Sequence, residues 1–149
     1  MMTQRGQGTI EYLVIIAIVV VIALVVVGLL LQVMNQGSGI PESTAKTAWK
    51  SAEPWGLVDW TNSATTLTVI LRNNSSEALD FETMTIGADT NSSGQTGVSP
   101  GGTITRTFAK TCTSGSKYAY AKSGVHIDYN GSLIAGKVQN ASADIVGSC

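Results

Sequence analysis

The chain has 149 residues and a formal net charge of −1, so it suits one domain, or a long helix with a small one, and lacks the basic excess of a nucleic-acid-binding protein. Its hydrophobic fraction of 44% is not that of an evenly built core, because a single stretch near the start supplies much of it. That stretch divides the sequence into an apolar first part and a polar second part rich in β-formers.

Residues 1–6 form a short polar head whose one charged residue is Arg5. A cytoplasmic Arg5 agrees with the positive-inside tendency. The head does not read as an ordinary secretory signal, in which an apolar stretch of about 7–15 residues ends at a small-residue cleavage site. Here the apolar run is longer and the small-residue junction, at Gly6, comes before it. A cut at that junction leaves the apolar segment on the mature chain.

Residues 7–36 are the predicted helix. Gln7, Gly8, Thr9, Ile10, Glu11 and Tyr12 lead into nineteen consecutive apolar residues, 13–31, interrupted in character by Gly28 alone. As a helix those nineteen span roughly 28 Å, close to the ~30 Å hydrocarbon core of a bilayer. They are apolar on every side, which requires burial all round, in lipid or among other helices. In such surroundings a helix satisfies its own backbone, and a lone strand does not. Glu11 stands at the edge of this run, where an unpaired carboxylate is costly and calls for a partner or a role. A first-turn position would also suit the helix dipole. Tyr12 fits the headgroup level.

At this point the residues carry a resemblance. GQGTIEY after Arg5, followed by a Val/Ile/Leu run, resembles the class III signal peptide of archaeal type IV-like pilins. The resemblance covers about the first 35 residues and departs at Thr9, where the family usually has Ser. It implies cleavage by a prepilin peptidase between Gly6 and Gln7, which makes Glu11 the fifth mature residue and gives its carboxylate a part in positioning the subunit. It also implies a membrane-held precursor, an assembly ATPase, a membrane platform protein and a helical homopolymer.

Residues 37–54 are expected as a linker. Gly37 and Gly39 are helix stop signals, and Pro41 can open a short helix running to Lys50, with Ala45, Ala48 and Trp49 on one face. From Trp55 the hydrophobic period becomes two. Strands are expected at 57–61, 66–72, 79–86, 103–109, 117–122, 125–129 and in part of 136–146, separated by Asn-, Gly- and Pro-containing turns. In 79–86 the buried face is ambiguous: Leu79 and Phe81 alternate in one phase, Met84 and Ile86 in the other. The polar stretch 87–102 reads as a long exposed loop. The fold class is therefore α+β: a long N-terminal apolar helix, then a small immunoglobulin-like β-sandwich over residues 55–149.

Three sets of residues could carry chemistry. Asn73, Asn74, Asn91, Asn130 and Asn140 each begin an N-x-S/T sequon. With seven Asn and 32 Ser or Thr in the chain, chance gives about 1.5 such motifs, so five is an excess that suits an exported glycoprotein. Cys112 and Cys149, both in the presumed outer domain, are expected to form one intramolecular disulfide in an oxidising exterior, the alternatives being two free buried thiols or an intermolecular bond. His126 with two distant Cys makes no zinc set, and Asp80 with Glu82 reads as a solvated strand face. No catalytic motif, cofactor motif or metal motif is present, so the chain is not expected to be an enzyme. The reading is a structural subunit of a type IV-like adhesion pilus, with two rivals: a membrane-anchored β-sandwich binding protein with an uncleaved anchor, and an archaellin or minor pilin.

Overall fold

The computed structural model describes residues 7–36 and 39–149. The chain separates into two compact units, Met1–Gly39 and Ile40–Cys149.

The first unit holds α1 (Gln7–Gln36), 30 residues of continuous helix, about 45 Å at 1.5 Å per residue. Its span Ile10–Leu31 is long and apolar enough to cross a membrane, with a mean hydropathy of 3.7 and no residue buried. The large apolar side chains along it are from 41% (Ile16) to 67% (Leu24) exposed. Among the described residues of this unit nothing covers this surface, so the helix is built for an apolar surrounding that the unit does not itself supply. Gly28 leaves the ladder unbroken.

The second unit begins with α2 (Gly39–Lys50). It is the short helix expected to run to Lys50 within the stretch 37–54, and residues 40–54 pack with the second unit. Ala45 and Trp49, one turn apart, face inward, and Trp49 is fully buried. The polar side of α2 is fastened by Lys46, whose ammonium lies 3.3 Å from Glu42 and 3.2 Å from Asp59 and 5.6 Å from the centre of the Trp60 ring. Partial burial alone would lower the Lys46 pKa; the two carboxylates outweigh it and hold it above its ordinary value.

Ten strands follow: β1 (Trp55–Asn62), β2 (Thr66–Asn73), β3 (Leu79–Ile86), β4 (Asp89–Asn91), β5 (Gln95–Val98), β6 (Thr103–Ala109), β7 (Lys117–Tyr120), β8 (Val125–Asn130), β9 (Lys137–Asn140) and β10 (Ile145–Ser148). Every pairing is antiparallel. One sheet has the order β1-β2-β6. In the other, β8 lies along one edge of β3, and β4 and β5 divide the opposite edge, pairing with Met84–Ile86 and with Leu79 and Phe81 respectively; β9 lies beyond β8. Counting β4 and β5 as one broken strand, this is the A-B-E and C′-C-F-G arrangement of an immunoglobulin-type sandwich. The stretch 87–102, expected as one loop, therefore supplies two short strands, although its residues 92–97 remain exposed. A third sheet, β7 with β10, is tied to β1 by bonds from Trp60 Nε1 to the Val146 carbonyl and from Asn62 Nδ2 to Tyr120 Oη, both 2.9 Å.

The core is made by both sheets, with Leu67, Val69 and Leu71 of β2 buried in the same cluster as Leu79, Phe81, Met84 and Ile86 of β3. Trp55 meets Phe81 edge to face at 5.7 Å, a favoured aromatic geometry. Gln139 of β9 joins the two sheets by a different means: its carboxamide accepts from the Trp55 N–H at 2.9 Å and donates to the Trp55 carbonyl at 2.7 Å, as a strand would.

A register shift explains the ambiguous face of 79–86, and β1 carries a second one. In β3 the pairing slips between Phe81 and Thr83. One extra residue reverses the in/out phase, so Leu79 and Phe81 point inward before the slip, and Met84 and Ile86 after it. In β1 a slip between Leu57 and Asp59 does the same for Trp55 and Leu57, then Trp60 and Asn62.

Candidate functional site

Gly6 lies outside the described residues. Gln7 is the first residue of α1, and Glu11 is the fifth. The first turn of α1 contains no acidic residue, so the helix-dipole account of Glu11 is corrected, since that effect fades within the first turn. Glu11 is exposed near the polar end of α1, and the next charged residue along the chain is Glu42, in α2. A lone carboxylate so placed can accept a hydrogen bond or ion pair from a group outside the chain.

The five sequon asparagines differ sharply. Asn73 is fully buried; its Nδ2 donates to the Glu77 and Val98 carbonyls, both at 2.8 Å, and its Oδ1 accepts from the Ser75 N–H and hydroxyl at 2.9 and 2.6 Å. Asn74 is half-buried, donating to the Lys50 and Ala52 carbonyls at 3.0 and 2.8 Å and accepting from Arg72 Nε at 2.8 Å. These two link β2 to the β5–β6 region and to the end of α2. Asn91 donates once, to the Thr107 carbonyl at 2.9 Å, and Asn130 once, to Glu82 Oε1 at 2.6 Å. Asn140 is exposed at the end of edge strand β9, and its side chain makes no hydrogen bond among the described residues. The sequence motif alone does not separate these environments, because the partners of Asn73 and Asn74 lie up to 25 residues away.

Cys112 and Cys149 form a disulfide, with Cα atoms 5.9 Å apart across 37 residues of sequence. Backbone bonds run beside it, from the Cys149 N–H to the Ser116 carbonyl at 2.9 Å and from the Gly115 N–H to the Cys149 carbonyl at 3.0 Å. The bridge clamps β10 to the approach of β7. There Tyr118 lies over Gly147, where a Cβ would strike the phenol ring. Burial, reinforced by Glu42, Tyr120 and Asp59, pushes the Tyr118 hydroxyl up to about 12.

Asp80 and Glu82 are both engaged in holding neighbours: Asp80 Oδ1 accepts from the Gly97 N–H at 2.6 Å, and Glu82 Oε1 accepts from Asn130. A shallow cavity of about 420 Å³ between β3 and β5 is lined by these two with Thr83, Gln95 and Asn130. His126 is half-buried on β8, opposite Thr85 and Asn140. Among the described residues, no three His, Cys, Asp or Glu are gathered to hold a metal ion. Arg106 is a residue that sequence reading passed over. It points inward from β6, with its guanidinium 4.6 Å from the centre of the Phe81 ring and a bond to the Thr105 carbonyl at 2.7 Å. Burial holds its pKa below the ordinary value. The inward phase of Ile104 and Phe108 was the available signal for it.

Residues 4–29 match the family model of the class III signal peptide. That signal marks type IV pilin-like and archaellin-like secreted subunits, processed by prepilin peptidase and taken up by pilus assembly machinery. No curated protein matches the chain significantly. The junction and the apolar helix fit a membrane-anchored precursor that passes into an extracellular filament.

Proposed function

We propose that the chain is the structural subunit of an archaeal type IV-like adhesion pilus and not an enzyme. The observation that supports this most directly is a class III signal peptide running without interruption into a helix none of whose Ile10–Leu31 residues is buried. Prepilin peptidase cuts between Gly6 and Gln7. The precursor waits in the membrane, held by α1. An assembly ATPase and a membrane platform protein then move α1 from lipid into a bundle of identical helices. Its all-round apolar surface suits both surroundings. Transfer to water would expose side chains worth about 1.5–3 kcal/mol each, so release as a free monomer is strongly opposed. Identical contacts that do not close on themselves generate a helical filament. The immunoglobulin-type unit becomes the outer sheath, carries N-linked glycans and meets surfaces or other cells.

The test is mass spectrometry of sheared surface fibres. The expected result is an abundant chain beginning at Gln7, with full-length precursor accumulating in membranes of a Gly6→Val strain. A chain beginning at Met1 and confined to membranes would overturn this reading in favour of an anchored binding protein.

A further inference from the structure

We propose that Asn140 is the residue of the outer domain that accepts an N-linked oligosaccharide, and that the sequons at Asn73 and Asn74 go unused. The inference rests on the reading of that domain as exported and glycosylated. N-linked attachment changes the side-chain amide nitrogen itself. Nδ2 attacks the anomeric carbon of an oligosaccharide carried on a lipid phosphate. A C–N bond forms, the anomeric C–O bond breaks, the lipid phosphate leaves with the electron pair, and the amide gives up one N–H proton. The acceptor thus needs an N–H to lose, outward space for a sugar, and an accessible hydroxyl two residues on.

The amide protons sort the five candidates. Asn73 and Asn74 each use Nδ2 to reach two backbone carbonyls, so a sugar on either breaks a built contact. Asn73 also has no exposed surface, and the hydroxyl of its Ser75 is taken up by Asn73 Oδ1 and the Glu77 carbonyl. Asn91 and Asn130 each spend one donor, and the Ser132 hydroxyl of the Asn130 sequon is bonded to Glu77. Asn140 spends none. Its Ser142 is exposed and carries no hydrogen bond among the described residues. β9 is an edge strand, and β1 is met beside it through Gln139, whose side chain leaves the strand on the face opposite to exposed Asn140. Val138, 57% exposed, shares the outward face of β9 with Asn140. A glycan at Asn140 would shield that apolar side chain and the unpaired edge, which is where one sheet can recruit another.

The experiment is intact-glycopeptide mass spectrometry on the full chain isolated from its native membranes and fibres, with Asn140→Gln and Ser142→Ala variants alongside. Expected are a glycan on the Asn140 peptide at higher occupancy than at any other sequon, its loss in both variants, and unmodified Asn73 and Asn74. Sugar on Asn73 or Asn74, or higher occupancy at Asn91 or Asn130 than at Asn140, would overturn the assignment while leaving the domain a glycoprotein. An absence of sugar at all five would overturn the assignment and the glycoprotein reading together.

Discussion

Three residues of the outer domain show how much depends on single atoms. Asn73 spans two carbonyls from within the core. Asn73→Ala leaves both without their donor, and the expected loss is about 3 kcal/mol of unfolding free energy, read from denaturant curves. Gly56 sits where the end of α2 crosses β1. A Cβ there would collide with Asn74 Nδ2 and come within 3.0 Å of the Trp49 carbonyl. Backbone on one side cannot yield, so Gly56→Ala should cost about 2 kcal/mol, and a cost near zero would mean that α2 shifts freely on the sandwich. Tyr118 titrates near 12 in the folded chain against an ordinary 10.0. A raised folded-state pKa contributes stability that is whole below the unfolded value and is lost as pH climbs through the folded one. Absorbance titration should lose its latest-ionising tyrosine in Tyr118→Phe, and thermal melts should fall across that alkaline window in the wild type but less steeply in the variant.

At the scale of elements, the legible parts were those with unbroken periodicity. α1 announces itself by nineteen apolar residues. β2 alternates Leu67, Val69 and Leu71 and lies within a residue of its expected bounds. β1 and β3 were legible as strands, but the buried face of β3 was not, because a bulge reverses its phase midway, and a bulge is a pairing event between strands that no single strand encodes. Within 37–54 the short helix ending at Lys50 was legible from Pro41 and the shared face of Ala45 and Trp49; how α2 packs was not, since Trp49 needs β1 to be buried. The two short strands β4 and β5 carry almost no apolar signal and exist by leaning on β3. The sequons were legible as motifs, but their availability was not, since it depends on carbonyls brought near only by folding. α1 itself yields a direct test. Val20 lies near the middle of the apolar span. A Val20→Asp change places a carboxylate where the surrounding is apolar, at about 3 kcal/mol. It should abolish fibres and lower membrane retention, whereas Val20→Leu should do neither; fractionation and fibre yield decide it.

For the molecule as a whole, the boundary at Ile40 matters most. A chain of residues 40–149 keeps the whole of the second compact unit and discards α1. It should be soluble and fold cooperatively, with the dispersed amide spectrum of a packed β-protein; failure to fold would mean that the sandwich needs α1 beside it. In that soluble form, replacing Cys112 and Cys149 together by Ser should lower stability by about 4 kcal/mol, the closure entropy of a loop of this size. Denaturation with and without reductant measures it.

The absence of charge along α1 beyond Glu11 reaches past folding, into the waters in which such a helix can work. Dissolved ions loosen structures by screening charges, over a Debye length of about 10 Å at 0.1 M and about 3 Å at 1 M. Between Glu11 and Glu42 there is no charge to screen. Apolar contacts, by contrast, tighten in solutions of strongly hydrated salts. On the proposed filament reading, a bundle of these helices should therefore hold as firmly in brine as in fresh water, with its response to salinity confined to Glu11 and the charged second unit.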